Sequence, residues 1–168
     1  MIRLFLLSVR LTSYWIEPCT HPEPGCVKDD PQLARWAFDA WQEASSGHLR
    51  FIEVKERSEA QIQLVWANPS PDQYGETVGN VVYIRIAADG VTDPLLRDTI
   101  VYLTCLHESG HALGLSHTAN FDDIMYSFQY GGDIKEYFAR YRRKLKSRAD
   151  FKKTPGLSPA DRARIAAK

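Results

Sequence analysis

The alternation of apolar and polar positions changes period several times along the chain. Residues 9–17 carry the β-favouring Leu11, Thr12, Tyr14, Trp15 and Ile16 before Pro18, and predict a first strand. Pro22, Pro24 and Gly25 mark a loop. Asp30-Pro31 opens a helix in which Leu33, Trp36, Ala37, Ala40, Trp41 and Ala44 recur at helical spacing, up to Ser45-Ser46-Gly47. Residues 49–54 predict a second strand, and 60–66 a third with Ile62, Leu64 and Trp66 on one face. Residues 68–76 read as a loop. A fourth strand is predicted over 78–87, closed by Asp89-Gly90. Asp93-Pro94 then starts a second long helix, through Leu95, Leu96, Ile100, Leu103, Leu106 and Leu113 to Gly114. Ile134, Tyr137, Phe138, Tyr141 and Leu145 form an apolar stripe on a third, basic helix near 133–149. Ser158-Pro159 caps a short last helix. The sum is an α+β chain.

Length and composition fit one globular domain over 1–168. The chain has 168 residues, 44% hydrophobic and 25% charged, and no net formal charge. No apolar run approaches the roughly 20 residues that span a bilayer, so no transmembrane segment is expected. The apolar start over 1–9 is cut off by Arg10 and is short for a signal peptide. Cys19 and Cys26 can pair in an oxidising compartment, while Cys105 sits in an apolar run and reads as inert core. The neutral total conceals an asymmetry: residues 1–126 hold 9 Lys/Arg against 17 Asp/Glu, and 127–168 hold 12 against 4. These opposed halves either attract each other within one fold or leave the basic tail for a partner.

The chemistry concentrates in His107-Glu108-Ser109-Gly110-His111-Ala112-Leu113-Gly114-Leu115-Ser116-His117. Two histidines four apart share one helical face. Gly114 lets the chain leave the helix with left-handed φ, and His117 can return as a third nitrogen ligand. Three neutral imidazoles leave the fourth tetrahedral position of one zinc ion to water, which marks a catalytic site. Glu108 stands beside that point. Three of the five histidines in the chain fall at these offsets, which sets the cluster apart from isolated core histidines.

This stretch resembles the metzincin zinc peptidases, whose motif H-E-x-x-H-x-x-G-x-x-H is followed by a Met-turn. Ile124-Met125-Tyr126 follows at the expected distance. With Thr118 after the third histidine, and Leu157-Ser158-Pro159-Ala160-Asp161 downstream, the pattern is most similar to the matrixin branch. The resemblance covers most of 10–126 and 157–166, and only 107–126 is highly specific.

The resemblance implies a zincin-type fold: a twisted mixed sheet with two long helices (upper part, about 10–114) over an irregular lower part with C-terminal helices (115–168). It implies His107, His111 and His117 as zinc ligands, Glu108 as general base and acid, and Met125 as a hydrophobic base under the metal. An extended protein or peptide substrate would pair with the sheet edge, expected within 79–86 at Val82, Tyr83 and Ile84. Tyr126, Phe128 and Tyr130 either line the pocket beside the metal or belong to the core. Ser109 replaces a bulky apolar residue, and neither a second zinc site nor a calcium loop is expected. Cys19 or His21 as a cap on the metal is the less favoured alternative to an ordinary loop. The basic segment packs, draws acidic substrates, or docks on an anionic surface. No specific nucleic-acid partner is expected. A monomeric endopeptidase, secreted or in the cell envelope, is the resulting expectation. Its rivals are a zinc hydrolase of non-protein, cell-wall-type amides and a non-catalytic zinc protein that binds polyanions.

Overall fold

A computed structural model describes residues 9–21, 25–70, 73–86 and 88–168. The expectations for residues 1–8, Pro22, Pro24 and Ala87 lie outside the described residues. Five strands form one sheet: β1 (Arg10–Ile16), β2 (Leu49–Glu53), β3 (Ile62–Ala67), β4 (Gly75–Val78) and β5 (Val81–Arg85). Their order is β2-β1-β3-β5-β4, parallel except for the antiparallel β4–β5 pair. The helices are α1 (Asp30–Ala44), α2 (Pro94–Ala112), α3 (Ile134–Arg142) and α4 (Pro159–Ala166). No described helix is long and apolar enough to cross a membrane. The chain is thus mixed α+β with a mostly parallel sheet.

One hydrophobic core runs from Tyr14 on the first strand to Ile165 on the last helix. The apolar face of α1 packs into it through fully buried Leu33, Phe38 and Trp41, with Tyr14 stacked on Phe38 at 4.2 Å between ring centroids. Asp30, fully buried at the start of α1, accepts both guanidinium nitrogens of Arg97 at 2.8 and 2.7 Å, which locks α1 to α2. Cys19 and Cys26 form a disulfide, so Cys19 is no free thiolate, and Cys105 is buried in α2.

The predicted strand over 78–87 is β5 at Val81–Arg85, and a further strand, β4, precedes it in a hairpin. Gly79, with φ +61°, begins a two-residue turn between β4 and β5, where a glycine first in the turn matches the strand twist. Strand β4 therefore takes the end of the segment read as loop and forms the sheet edge facing α2. The basic segment is also broken. Helix α3 ends at Arg142, and a 3-10 turn (Arg148–Lys152) follows, with Asp150 accepting the N–H groups of Lys146 and Ser147 at 2.8 Å. Continuing α3 would set Arg140 against Lys144 and Arg142 against Lys146 at i, i+4, an unfavourable spacing for like charges.

Much of the basic tail is tied back to the acidic half. Arg142 meets Asp93 at 2.8 Å, Arg148 meets Asp98 at 3.1 Å, and Arg140 meets Asp122 at 2.6 Å. Arg164 donates to the Ser116 carbonyl and Lys168 to that of Gly114. Attraction between the opposed halves accounts for the three arginines, and backbone carbonyls hold the other two cations.

Candidate metal centre

The last turns of α2 carry His107 and His111 on one face, above a helix end built for reversal. Gly114, with φ +85°, adopts the left-handed conformation open to glycine, and the Leu115 N–H returns to the Gly110 carbonyl at 2.9 Å. The reversal brings His117 back over the helix. The three Nε2 atoms then form a nearly equilateral triangle: 3.1 Å from His107 to His111, 3.2 Å from His107 to His117, and 3.0 Å from His111 to His117. These three histidines form a cluster able to hold a metal ion.

Backbone carbonyls orient two of the rings. His107 Nδ1 lies 2.6 Å from the Ile124 carbonyl and His111 Nδ1 lies 2.8 Å from that of Leu115. A carbonyl only accepts, so each Nδ1 carries its proton and each Nε2 presents a lone pair to the triangle. Burial holds the His107 pKa down, to about 4, and also lowers that of His117. The Nε2 lone pairs of His107 and His111 repel each other unless a proton or a cation lies between them. A tetrahedral zinc with bonds of about 2.0–2.1 Å needs nitrogens about 3.3 Å apart. The triangle is compatible with that ion after displacements of a few tenths of an ångström.

The segment around Met125 is braced from several directions. The Ile124 N–H donates to Asp161 of α4 at 2.8 Å, and Thr118 N–H donates to the Met125 carbonyl at 2.8 Å. Tyr137 donates to the Asp123 carbonyl at 3.1 Å. Met125 is fully buried against α2 at Gly110, where a Cβ would lie 2.5 Å from its sulfur and 3.0 Å from Trp41. Ser109 is also buried. Its hydroxyl accepts the Trp41 indole N–H at 3.1 Å, shared with the Leu106 carbonyl at 2.9 Å. A bulky apolar residue at 109 would remove one of these acceptors.

Glu108 lines the same cavity as the three histidines, a cleft of about 640 Å³ between β4 and the segment around Tyr126. Glu108 is only 6% exposed, and the Thr77 hydroxyl is shared between its carboxylate at 2.8 Å and its own backbone carbonyl at 2.9 Å. Gly75 and Thr77 lie on the same face of β4, two residues apart. A Cβ on Gly75 would meet Glu108 Cγ at 2.5 Å and its Oε1 at 2.9 Å. The absent side chain at 75 thus makes room for Glu108, and the hydroxyl at 77 holds it. Burial pushes the Glu108 pKa up to about 7; the Thr77 hydrogen bond opposes that rise and the charge of Glu76 adds to it.

The expected edge residues are misplaced. Val82 and Ile84 are fully buried, and Tyr83 is paired with Val65 on one side and Glu76 on the other, because β5 is interior. Among the described residues β4 pairs on one side only, so the sheet edge beside the cleft belongs to it. Tyr126 both lines the cleft and belongs to the core, at 5% exposed, and Phe128 lines the cleft as well. Tyr130 is 57% exposed and lies off the cleft wall. Sequence patterns missed Thr77, Gly75 and Gly110; the one available signal was a glycine within or beside each candidate element. Comparison with protein-family models and with curated proteins finds no match, so the chemistry open to this site is read from its own residues.

Proposed function

We propose that the protein is a zinc-dependent endopeptidase of zincin-type fold, on the matrixin-like branch of the metzincins. The observation that supports this most is the convergence of three Nε2 atoms in a cleft that also holds the buried Glu108 carboxyl. His107, His111 and His117 would hold the ion. When bound, zinc supplies Lewis-acid polarisation of a peptide carbonyl and lowers the pKa of water toward about 7. Glu108 accepts the proton of the attacking water and returns it to the departing amine, the two halves of general acid–base catalysis. Its burial keeps its proton affinity close to neutral, so it can serve in both directions. Thr77 fixes the carboxylate, and Met125 packs beneath the helix that carries two ligands.

Strand β4, at the edge of the sheet among the described residues, suits an extended substrate held by main-chain hydrogen bonds. The aromatic wall at Tyr126 and Phe128 suits an apolar side chain entering beside the metal. The Cys19–Cys26 disulfide supports a secreted or envelope location.

The test is digestion of a peptide library by the zinc-loaded chain, with and without a chelator, alongside Glu108→Gln. Chelator-sensitive cleavage is expected, with retained zinc but a turnover loss of about 10²–10⁴-fold in Glu108→Gln. Cleavage that survives in Glu108→Gln refutes the role given to the carboxylate. Hydrolysis of cell-wall fragments with casein and the library untouched refutes the endopeptidase reading.

A further inference from the structure

A second cavity, of about 560 Å³, lies behind the cleft. Leu103 and Tyr137 line both spaces, so one layer of side chains separates them. The second cavity is formed where α3, the chain after the 3-10 turn and the start of α4 meet. Four cations line it: Arg140, Lys144, Lys153 and Arg162.

These four are not equivalent. Arg140 is spent within the fold: it pairs with Asp122, donates to the Phe121 carbonyl, and lies over the rings of Phe121 and Tyr137 at 4.6 and 4.7 Å. Lys144, Lys153 and Arg162 have no carboxylate within 4.0 Å among the described residues. Asp150 lies beyond ion-pair distance and acts on Lys153 through charge alone, while its carboxylate accepts the N–H groups of Lys146 and Ser147. Asp122, the one acid on the lining, is taken by Arg140. Three positive charges without an ion-pair partner among the described residues therefore share one concavity in a chain whose total formal charge is zero. A concave wall of one sign focuses its field and concentrates counter-ions.

We infer that this cavity is a second ligand site, which takes a multivalent oxyanion of the phosphate or sulfate class. One carboxylate would leave two of the three charges uncompensated, whereas a ligand bearing several sulfate or phosphate groups can meet all three. Two lysines and an arginine suit such groups through charge and donated hydrogen bonds. The cavity is roomy enough for a scaffold that carries more than one anionic group. The site does not depend on the peptidase reading, since binding requires neither turnover nor any group in the metal centre.

The experiment is calorimetric titration of the zinc-loaded full chain with sucrose octasulfate at low salt, and with sucrose as the neutral control. The three cavity cations are removed together as Lys144→Gln, Lys153→Gln and Arg162→Gln. A control chain loses the same charge elsewhere, as Lys55→Gln, Lys135→Gln and Lys146→Gln. All six side chains are exposed and outside the salt bridges, so both chains are expected to keep the wild-type circular dichroism spectrum. Binding that weakens at least tenfold in the cavity chain and less than twofold in the control supports the site. Equal weakening in both chains, or no binding by the wild type, overturns it. Hexaglutamate binding as tightly as the octasulfate overturns the oxyanion class, and points to acidic peptides instead.

Discussion

Replacing Thr77 by valine keeps the shape of the side chain and deletes the hydroxyl that meets Glu108 at 2.8 Å. A hydrogen bond to a charged acceptor contributes about 1.5–3 kcal/mol. At about 1.4 kcal/mol per tenfold change in a proton equilibrium, its loss raises the Glu108 pKa by about 1–2. The sign follows from the role. Glu108 must be ionised to accept a proton, and the Thr77 bond favours the ionised form. The acidic limb of kcat/KM in Thr77→Val is therefore expected at higher pH than in the wild type, by about 1–2. On the acidic side of the limb activity should fall by about 10–100-fold at a given pH, with recovery once the pH exceeds the shifted limb. The assay is a pH profile with an internally quenched peptide, at a zinc content verified per chain. Thr77→Ser, which keeps the hydroxyl, should restore the wild-type limb. An unshifted limb in Thr77→Val, or a loss equal at every pH and not rescued by serine, refutes the assignment.

Gly110→Ala places a methyl 2.5 Å from the Met125 sulfur, and overpacking of this kind costs about 1–3 kcal/mol. Urea denaturation should show that loss, and Met125→Ala in the same chain should couple to it in a double-mutant cycle. Arg97→Ala strands the fully buried Asp30 carboxylate, and the expected destabilisation is about 3–5 kcal/mol by the same assay. In the metal-free chain, burial depresses the His107 pKa from 6.5 to about 4. The unfolded chain binds the extra proton between those values, so this contribution to stability is complete above pH 6.5 and is lost as pH falls through 4. The difference is about 3 kcal/mol, and wild-type urea midpoints in chelator should fall more steeply over that window than those of His107→Gln.

The convergence of the histidines is legible in the sequence because it depends on two local rules. A four-residue spacing stacks two rings on a helix, and a left-handed glycine turns the chain back. Helix starts at Asp30-Pro31, Asp93-Pro94 and Ser158-Pro159 are legible for the same reason, since caps and prolines act over a few residues. Strand β4 is not. Gly75-Glu76-Thr77-Val78 has one clearly apolar residue and a glycine that strands disfavour, so its own pattern argues for a loop. Only Glu108, 33 residues later, explains why the position must lack a side chain. Because that strand was hidden, the edge was placed one strand too far inward, on Val82, Tyr83 and Ile84. Ser109 is opaque in the same way: its partner is the Trp41 indole, 68 residues upstream. The length of α3 was overread because the apolar stripe continues to Leu145 while the charges that end the helix lie on its other faces.

The most direct test of the metal centre is X-ray absorption at the zinc edge on the reconstituted chain, with zinc counted per molecule. One zinc is expected, with three imidazole nitrogens at about 2.0–2.1 Å, and one of these should disappear in His117→Ala. A sulfur neighbour, fewer than three imidazoles, two zinc ions per chain, or no uptake at all would contradict the assignment of His107, His111 and His117 as the ligands of a single ion.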